Sequence, residues 1–263
     1  MKIVPALLVI AGLLATQTPP VQTPADQPAP RTDRNSQIAH EQLLAKRKQG
    51  RIDIYFEGDS ITRRWGATDY PQLLENWKKN FFGWNAADFG WGADRVENIL
   101  WRLENGELDD VNPKAIVLLA GTNNVGNRLP PEGINAAAAN VTRGLAAVLR
   151  IMRMKAPNAV IVLTAIFPRN DNMAVMPEID AINANLARMA DGSAICYLNV
   201  NSRLADSSGK LYDGMMNARD KLHPALPGYQ VWVDALKPIL IELLGPPAND
   251  DRAPPPTGDP SAR

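Results

Sequence analysis

Four short stretches hold the side chains that could do chemistry. Gly58-Asp59-Ser60 closes an apolar run at 52–57, and Phe89-Gly90-Trp91-Gly92-Ala93-Asp94 follows a second run at 86–89. Gly121-Thr122-Asn123-Asn124 follows a third at 115–120, and Asp220-Lys221-Leu222-His223 precedes the last periodic segment. A serine hydroxyl becomes a useful nucleophile only when a neighbouring base takes its proton. Near neutral pH that base is most often histidine. The chain has two histidines, His40 and His223. His40 lies in a polar-faced helical segment ahead of the first run and reads as a surface residue. His223 has Asp220 one turn before it, where a carboxylate can hydrogen-bond the imidazole, fix its tautomer and stabilise the cation formed in catalysis. Ser60, Asp220 and His223 are therefore the expected triad.

Acyl transfer also needs donors aimed at the developing oxyanion. Ser60 opens a helix, so its own backbone N–H is free to point at an anion. The 89–94 turn can supply a second backbone N–H, and Asn123 a side-chain amide. Asp59, beside the nucleophile, and Trp65 and Trp91, each following a catalytic turn, are candidate substrate contacts, since aromatic faces suit sugar rings and acyl chains. Arg63 and Arg64 read as a solvated helix face.

These turns need elements to hold them. Apolar, β-rich runs at 52–57, 86–89, 115–120, 159–166 and 194–200 alternate with helical stripes. One stripe is Val96, Ile99, Leu100 and Leu103, and a second runs from Ile134 to Met152. A third is Ile179, Ile182, Leu186 and Met189, entered through Pro177 and left at Gly192. The last runs from Trp232 to Leu243 with Pro238 inside it, where a kink or a fresh start is expected. Runs that are apolar throughout suit strands covered on both faces. The alternation predicts an α/β fold with a parallel sheet between helical layers, its site at the carboxyl ends of the strands.

Composition removes other function classes. Lys+Arg is 28 and Asp+Glu is 28, which gives no global reason to expect nucleic acid or an anionic membrane as partner. Cys196 is the sole cysteine, so an intramolecular disulfide and a thiolate cluster are both ruled out. Two histidines leave little room for a multi-histidine metal site, and none is expected. Gly90-Trp91-Gly92-Ala93-Asp94-Arg95 puts Arg95 where a dinucleotide fingerprint needs its third glycine. Gly58-Asp59-Ser60 is not the Gly-x-Ser-x-Gly elbow.

At the N-terminus, Lys2 precedes an apolar run at 3–15, followed by polar, proline-containing sequence. This is the layout of a signal peptide over 1–25, with cleavage near 15 or 25. The run is short for a membrane span, so no stable membrane anchor is expected. A secreted or periplasmic location follows. Residues 16–36 read as a Pro-rich disordered linker and 246–263 as a disordered Pro-rich tail, leaving a single domain at 37–245.

As a set, the four blocks resemble the SGNH, or GDSL, hydrolases. The segment 89–124 is similar to the platelet-activating-factor acetylhydrolase Ib catalytic-subunit branch and its bacterial relatives, and the resemblance spans roughly 52–244. It implies a flavodoxin-like three-layer α/β/α sandwich around a parallel sheet of about five strands. It places the nucleophile on Ser60, the oxyanion amide on Asn123 and the remaining triad roles on Asp220 and His223, and it implies no metal or organic cofactor. One position departs from the pattern. The family's second block usually has glycine immediately before the aspartate, and its N–H enters the oxyanion hole; here Ala93 stands there, with Gly92 upstream. Alanine does not readily adopt a positive φ. Either the backbone is at negative φ and Ala93 donates, which is the preferred reading, or Gly92 has taken the role.

The expected function is a secreted serine esterase for short acyl esters, acetyl in particular, on a small ester or an acetylated glycan. The alternatives are a lipid-directed acetylhydrolase or lysophospholipase and, from a different class, a non-catalytic carbohydrate-binding protein on the same fold.

Overall fold

The computed structural model describes residues 23–126 and 129–262. Most of the expected signal peptide, residues 1–22, lies outside the described residues. The apolar runs form β1 Ile54–Gly58, β2 Ala86–Asp88, β3 Ala115–Leu119, β4 Val160–Thr164 and β5 Ile195–Leu198. All pairings are parallel, in the order β2-β1-β3-β4-β5, which is the flavodoxin-like order. Its switch point lies beside β1, because the chain leaves β1 in one direction to reach β2 and passes it again to reach β3.

Each strand feeds both faces, as period-two alternation requires. Tyr55, Ile116, Leu118, Ile161 and Leu163 face one core, closed by α4 Val96–Glu104, α5 Ile134–Lys155 and α6 Met176–Ala187. Ile54, Phe56, Val117, Leu119 and Val162 face the other, closed by α2 Ser60–Gly66, α3 Pro71–Phe81 and α7 Leu226–Leu244. The second core is aromatic: Phe56, Trp65, Trp77, Phe81 and Trp232 meet edge-on or stacked, with centroids 4.6–6.4 Å apart. The remaining long helix, α1 Arg34–Lys46, precedes β1 and is capped by Asp33, whose carboxylate accepts from the Ser36 N–H. Of the two outcomes expected at Pro238, the fresh start does not occur: α7 continues through it as one helix. Trp232, Val233, Leu236 and Leu240, all wholly buried, anchor it on both sides of the proline.

Both flanks read as disordered are held against the domain in their described parts. Ala25 is fully buried, the Ala29 N–H donates to the Glu97 carbonyl, and Arg31 reaches the Gly92 carbonyl. At the other end the Ala248 N–H donates to Gly83 O, Arg252 O accepts from the Arg51 N–H, and Thr257 O accepts from the Thr68 N–H. Asp259 binds Asn35 and, through its N–H, Asp69. Proline-rich sequence lacks the periodicity of a helix or strand, which is why it reads as a tail. Its extended backbone starts with less freedom to lose, so a few hydrogen bonds to exposed loops hold it in place.

Candidate active site

Ser60 sits where β1 stops. Gly58 ends the strand under the Leu119 carbonyl and the Thr62 side chain, each 2.3 Å from where a Cβ would lie, so no larger residue fits. Asp59 then caps α2, its Oδ1 accepting the Ile61 N–H at 2.9 Å. Ser60 is the first helical residue, and its side chain turns to the surface as a capped helix requires.

His223 arrives from the far edge of the sheet on the long connection between β5 and α7. Two isolated antiparallel bridges, Ala205 with Leu211 and Met216 with Pro224, brace this connection. The Tyr229 hydroxyl on α7 donates to the Ile61 carbonyl at 2.7 Å, tying α7 to the helix of the nucleophile. Ser60 Oγ lies 2.8 Å from His223 Nε2, and His223 Nδ1 lies 2.9 Å from Asp220 Oδ2. Asp220 Oδ1 also accepts the N–H groups of Leu222 and His223, a local turn with Lys221 at φ +49. With Nδ1–H donated to the carboxylate, the neutral ring presents the lone pair of Nε2 to the serine hydroxyl.

The electrostatics keep that ring neutral. Burial holds the His223 pKa below its ordinary 6.5, and the Arg64 charge pushes the same way against the pull of Asp220. Burial would raise the Asp220 carboxyl, but the His223 and Leu222 N–H groups and the imidazole outweigh it and lower its pKa.

The candidate backbone oxyanion donors Gly92 and Ala93 lie on the turn after β2. The Gly90 N–H donates to Asp88 Oδ1 at 2.8 Å and the Trp91 N–H to the Gly58 carbonyl at 3.0 Å, sewing this turn to the end of β1. Ala93 stands at φ +62, so the expectation of a negative φ there is overturned. The neighbours explain how alanine is held in a region that costs it roughly 1–2 kcal/mol. Arg31 grips the Gly92 carbonyl, the Asp94 carbonyl accepts from Asn123 Nδ2 at 2.8 Å, and Asp94 Oδ2 accepts from Arg102 Nε at 2.7 Å. Among the described residues, the backbone N–H groups of Ser60, Gly92 and Ala93 have no partner within the chain. Asn123 uses one amide hydrogen on Asp94 and keeps the other.

Beneath this turn lies a group that sequence reading missed. Arg102 reaches Glu57 Oε1 at 2.6 Å, the Phe89 carbonyl at 3.0 Å, Asp94 and Glu107, all in the interior. His40, read as a surface residue, bonds Glu107 Oε1 at 2.7 Å on the far side. Burial drives the Glu57 carboxyl well above the usual carboxylate range, although Arg102 opposes this. Asn124 adds a second clasp, its Oδ1 accepting the Val96 N–H and its Nδ2 donating to Glu97.

Three candidate substrate contacts are corrected. Trp65 is wholly buried, stacked on Trp232, with its indole N–H on Asn76. Trp91 is buried as well; its N–H donates to Ser36 Oγ, and the Arg63 guanidinium covers its ring at 4.8 Å. Asp59 is inaccessible, and burial pushes its carboxyl up to about 7. All three brace the site instead of facing a substrate. The two arginines after Ser60 are not a free solvated face either: Arg63 pairs with Asp69, and Arg64 with Asp220.

Comparison with known proteins bears on the family and the fold. The profile of the GDSL-like lipase/acylhydrolase family matches residues 56–231. Platelet-activating factor acetylhydrolase IB subunit alpha1 of Bos taurus is 28% identical over 245 residues, covering 91% of this chain and 98% of the relative. The alpha2 subunit of Homo sapiens is 29% identical over 210 residues, covering 78% and 83%. Among solved structures, a GDSL-like lipase from Bacteroides thetaiotaomicron superposes with a TM-score of 0.59 at 17% identity, over 78% of this chain and 98% of that one.

Proposed function

The chain belongs to the GDSL-like lipase/acylhydrolase family and is a carboxylic ester hydrolase, and from that premise we propose that it removes short acyl groups, acetyl in particular, through an acyl-enzyme on Ser60. The observation that carries this reading is the unbroken line from Ser60 Oγ through His223 to Asp220, with steps of 2.8 and 2.9 Å. Ser60 Oγ attacks the ester carbonyl as His223 Nε2 takes its proton. Asp220 orients the ring and stabilises the imidazolium. The N–H groups of Ser60 and Ala93 and the free amide hydrogen of Asn123 receive the oxyanion. His223 then returns the proton to the leaving alcohol, and water repeats the sequence in reverse to release the acid. Ala93 is preferred to Gly92 as donor because its positive φ is a conformation the chain maintains against its steric cost.

The name of the relatives, an acetylhydrolase, supports a short acyl group. For the alcohol we favour a carbohydrate hydroxyl. No helix is inserted between β1 and α2 or between β2 and α4, which leaves this edge open to a bulky leaving group. Export, read from residues 1–25, would place the enzyme among such esters. The second reading is an acetyl ester on a lipid, favoured by the lipase of the family description and the platelet-activating factor of the relatives' name. With Trp65 and Trp91 buried, no aromatic platform argues for the sugar.

The test is hydrolysis of p-nitrophenyl acetate by the wild type and by Ser60→Ala. The variant is expected to lose roughly 10⁴-fold or more in kcat; equal rates would remove Ser60 as nucleophile, and failure of a fluorophosphonate to add mass at Ser60 together with tight glycan binding would revive the non-catalytic binding protein. A series of longer acyl esters beside acetylated polysaccharides then separates the two alcohols. A maximum at octanoyl or longer would favour the lipid.

A further inference from the structure

The hydrolysis scheme leaves unused a cation that touches the triad. Arg64 lies one turn after Ser60 on α2, and its Nη1 is 3.3 Å from Asp220 Oδ2, the same oxygen that accepts His223 Nδ1–H. Its guanidinium lies over the Tyr70 ring at 5.3 Å, and its side chain is 25% exposed. One short helix therefore carries both the nucleophile and a charge bound to the third triad member. We propose that Arg64 is a positioning residue of the triad, tying Asp220 to the helix that carries Ser60 and placing a fixed positive charge beside His223. The proposal rests on the reading of Ser60 and His223 as nucleophile and base.

The need for such a tie follows from where Asp220 sits. Its side chain is 35% exposed, and the two backbone N–H groups that hold it bind Oδ1 only. Oδ2, the oxygen that orients the base, would otherwise depend on His223 alone. Arg64 gives it a second donor from a different element, so the carboxylate cannot swing away without breaking a charge-assisted bond. The same charge opposes formation of an imidazolium. The groups facing His223 are Ser60 and Arg64 from α2, Asp220 from its own loop and Arg169 from the connection after β4. Arg169 is also bonded to Asp171 and to the Thr122 carbonyl, and Arg64 is bonded to the triad carboxylate. The sign is fixed: a cation removed from beside His223 raises its pKa, so the base is lost to protonation at a higher pH.

Because the chain has two histidines, proton NMR resolves this directly, with His40→Gln assigning the His40 signal. The His223 titration midpoint is expected to rise by about half a unit or more in Arg64→Gln and to stay near the wild-type value in Arg64→Lys. Arg64→Met, which keeps an unbranched side chain but loses the charge, checks the charge without relying on one variant. The acid limb of kcat/KM should move up with the midpoint, and kcat should fall roughly tenfold in Arg64→Gln with partial recovery in Arg64→Lys. An unmoved midpoint in folded Arg64→Gln or Arg64→Met overturns the proposal. The titration needs no substrate. A shifted midpoint in a chain without esterase activity would leave the coupling of Arg64 to His223 standing while sinking the esterase reading and the positioning role that rests on it. An unshifted midpoint in an active esterase would overturn the role of Arg64 and spare the esterase reading.

Discussion

Two turns meet at the catalytic edge, and they are held in opposite ways. The 217–223 turn, which would move protons, reaches the surface at Asp220 while His223 is buried. Its internal bonds are short-range (Asn217 N–H to the His223 carbonyl, Lys221 N–H to the Asn217 carbonyl, and Asp220 to the Leu222 and His223 N–H groups), and bonds from Arg64, Ser60 and the Asn170 N–H tie it to other elements. The 90–94 turn, which would only donate hydrogen bonds, is fixed from beneath by Arg102 and three buried carboxyl groups, and from above by Arg31 and Asn123. The difference has a physical reason. A general base must gain and lose charge during each turnover, so the buried His223 ring is paired with a partly exposed carboxylate that serves it in either state. An oxyanion donor must not reorganise when charge develops in front of it, so a rigid, low-dielectric foundation serves it better. Asp220→Asn should therefore strike chemistry and spare the fold. A fall of roughly 10⁴-fold in kcat with a near wild-type melting temperature is expected, measured on p-nitrophenyl acetate and by circular dichroism.

Arg102→Met should do the reverse. It leaves Glu57, Asp94 and Glu107 buried without the cation at their centre, which should cost about 3–5 kcal/mol in urea unfolding. If it destabilised no more than Asp220→Asn, the contrast between the turns would fail. Asn123→Ala tests the link between foundation and chemistry. It removes an oxyanion donor together with the bond to the Asp94 carbonyl, so kcat should fall roughly 10²–10³-fold while stability drops by only about 1 kcal/mol.

The same contrast explains what the sequence made legible. Asp220 and His223 are three residues apart, and Ser60 follows a strand and opens a helix, so local spacing announces both. The parallel sheet between helical layers follows from apolar runs alternating with helical stripes, and its flavodoxin-like order from the family resemblance. Arg102, Glu57, Asp94 and Glu107 are scattered over four separate elements or turns, and only the folded chain brings them together. Nothing in the spacing of His40 marks it as a partner of Glu107. Trp65 and Trp91 misled because an aromatic residue after a catalytic turn looks the same whether it faces a ligand or seals the core. The flanking segments misled for a related reason: their hydrogen bonds go to loops distant in sequence, which leave no periodic trace.

Ala93→Gly has the smallest expected effect and bears most directly on the rigid turn. Alanine at φ +62 is strained by roughly 1–2 kcal/mol relative to glycine, whereas glycine makes the unfolded chain more flexible and gives back about 0.4–1 kcal/mol. The net result should be a gain of between zero and about 1.5 kcal/mol in urea unfolding. Activity should stay within about twofold, because the N–H remains and the bonds at Gly92 and Asp94 still fix its direction. A glycine variant that is stabler but more than tenfold slower would show that the foundation alone does not hold the turn. The methyl group would then be what limits its motion, and the strain at Ala93 would be part of how the donor is kept in place. Gly92→Ala is the control, since open space surrounds that position and its backbone is not left-handed. It should change neither stability nor rate appreciably.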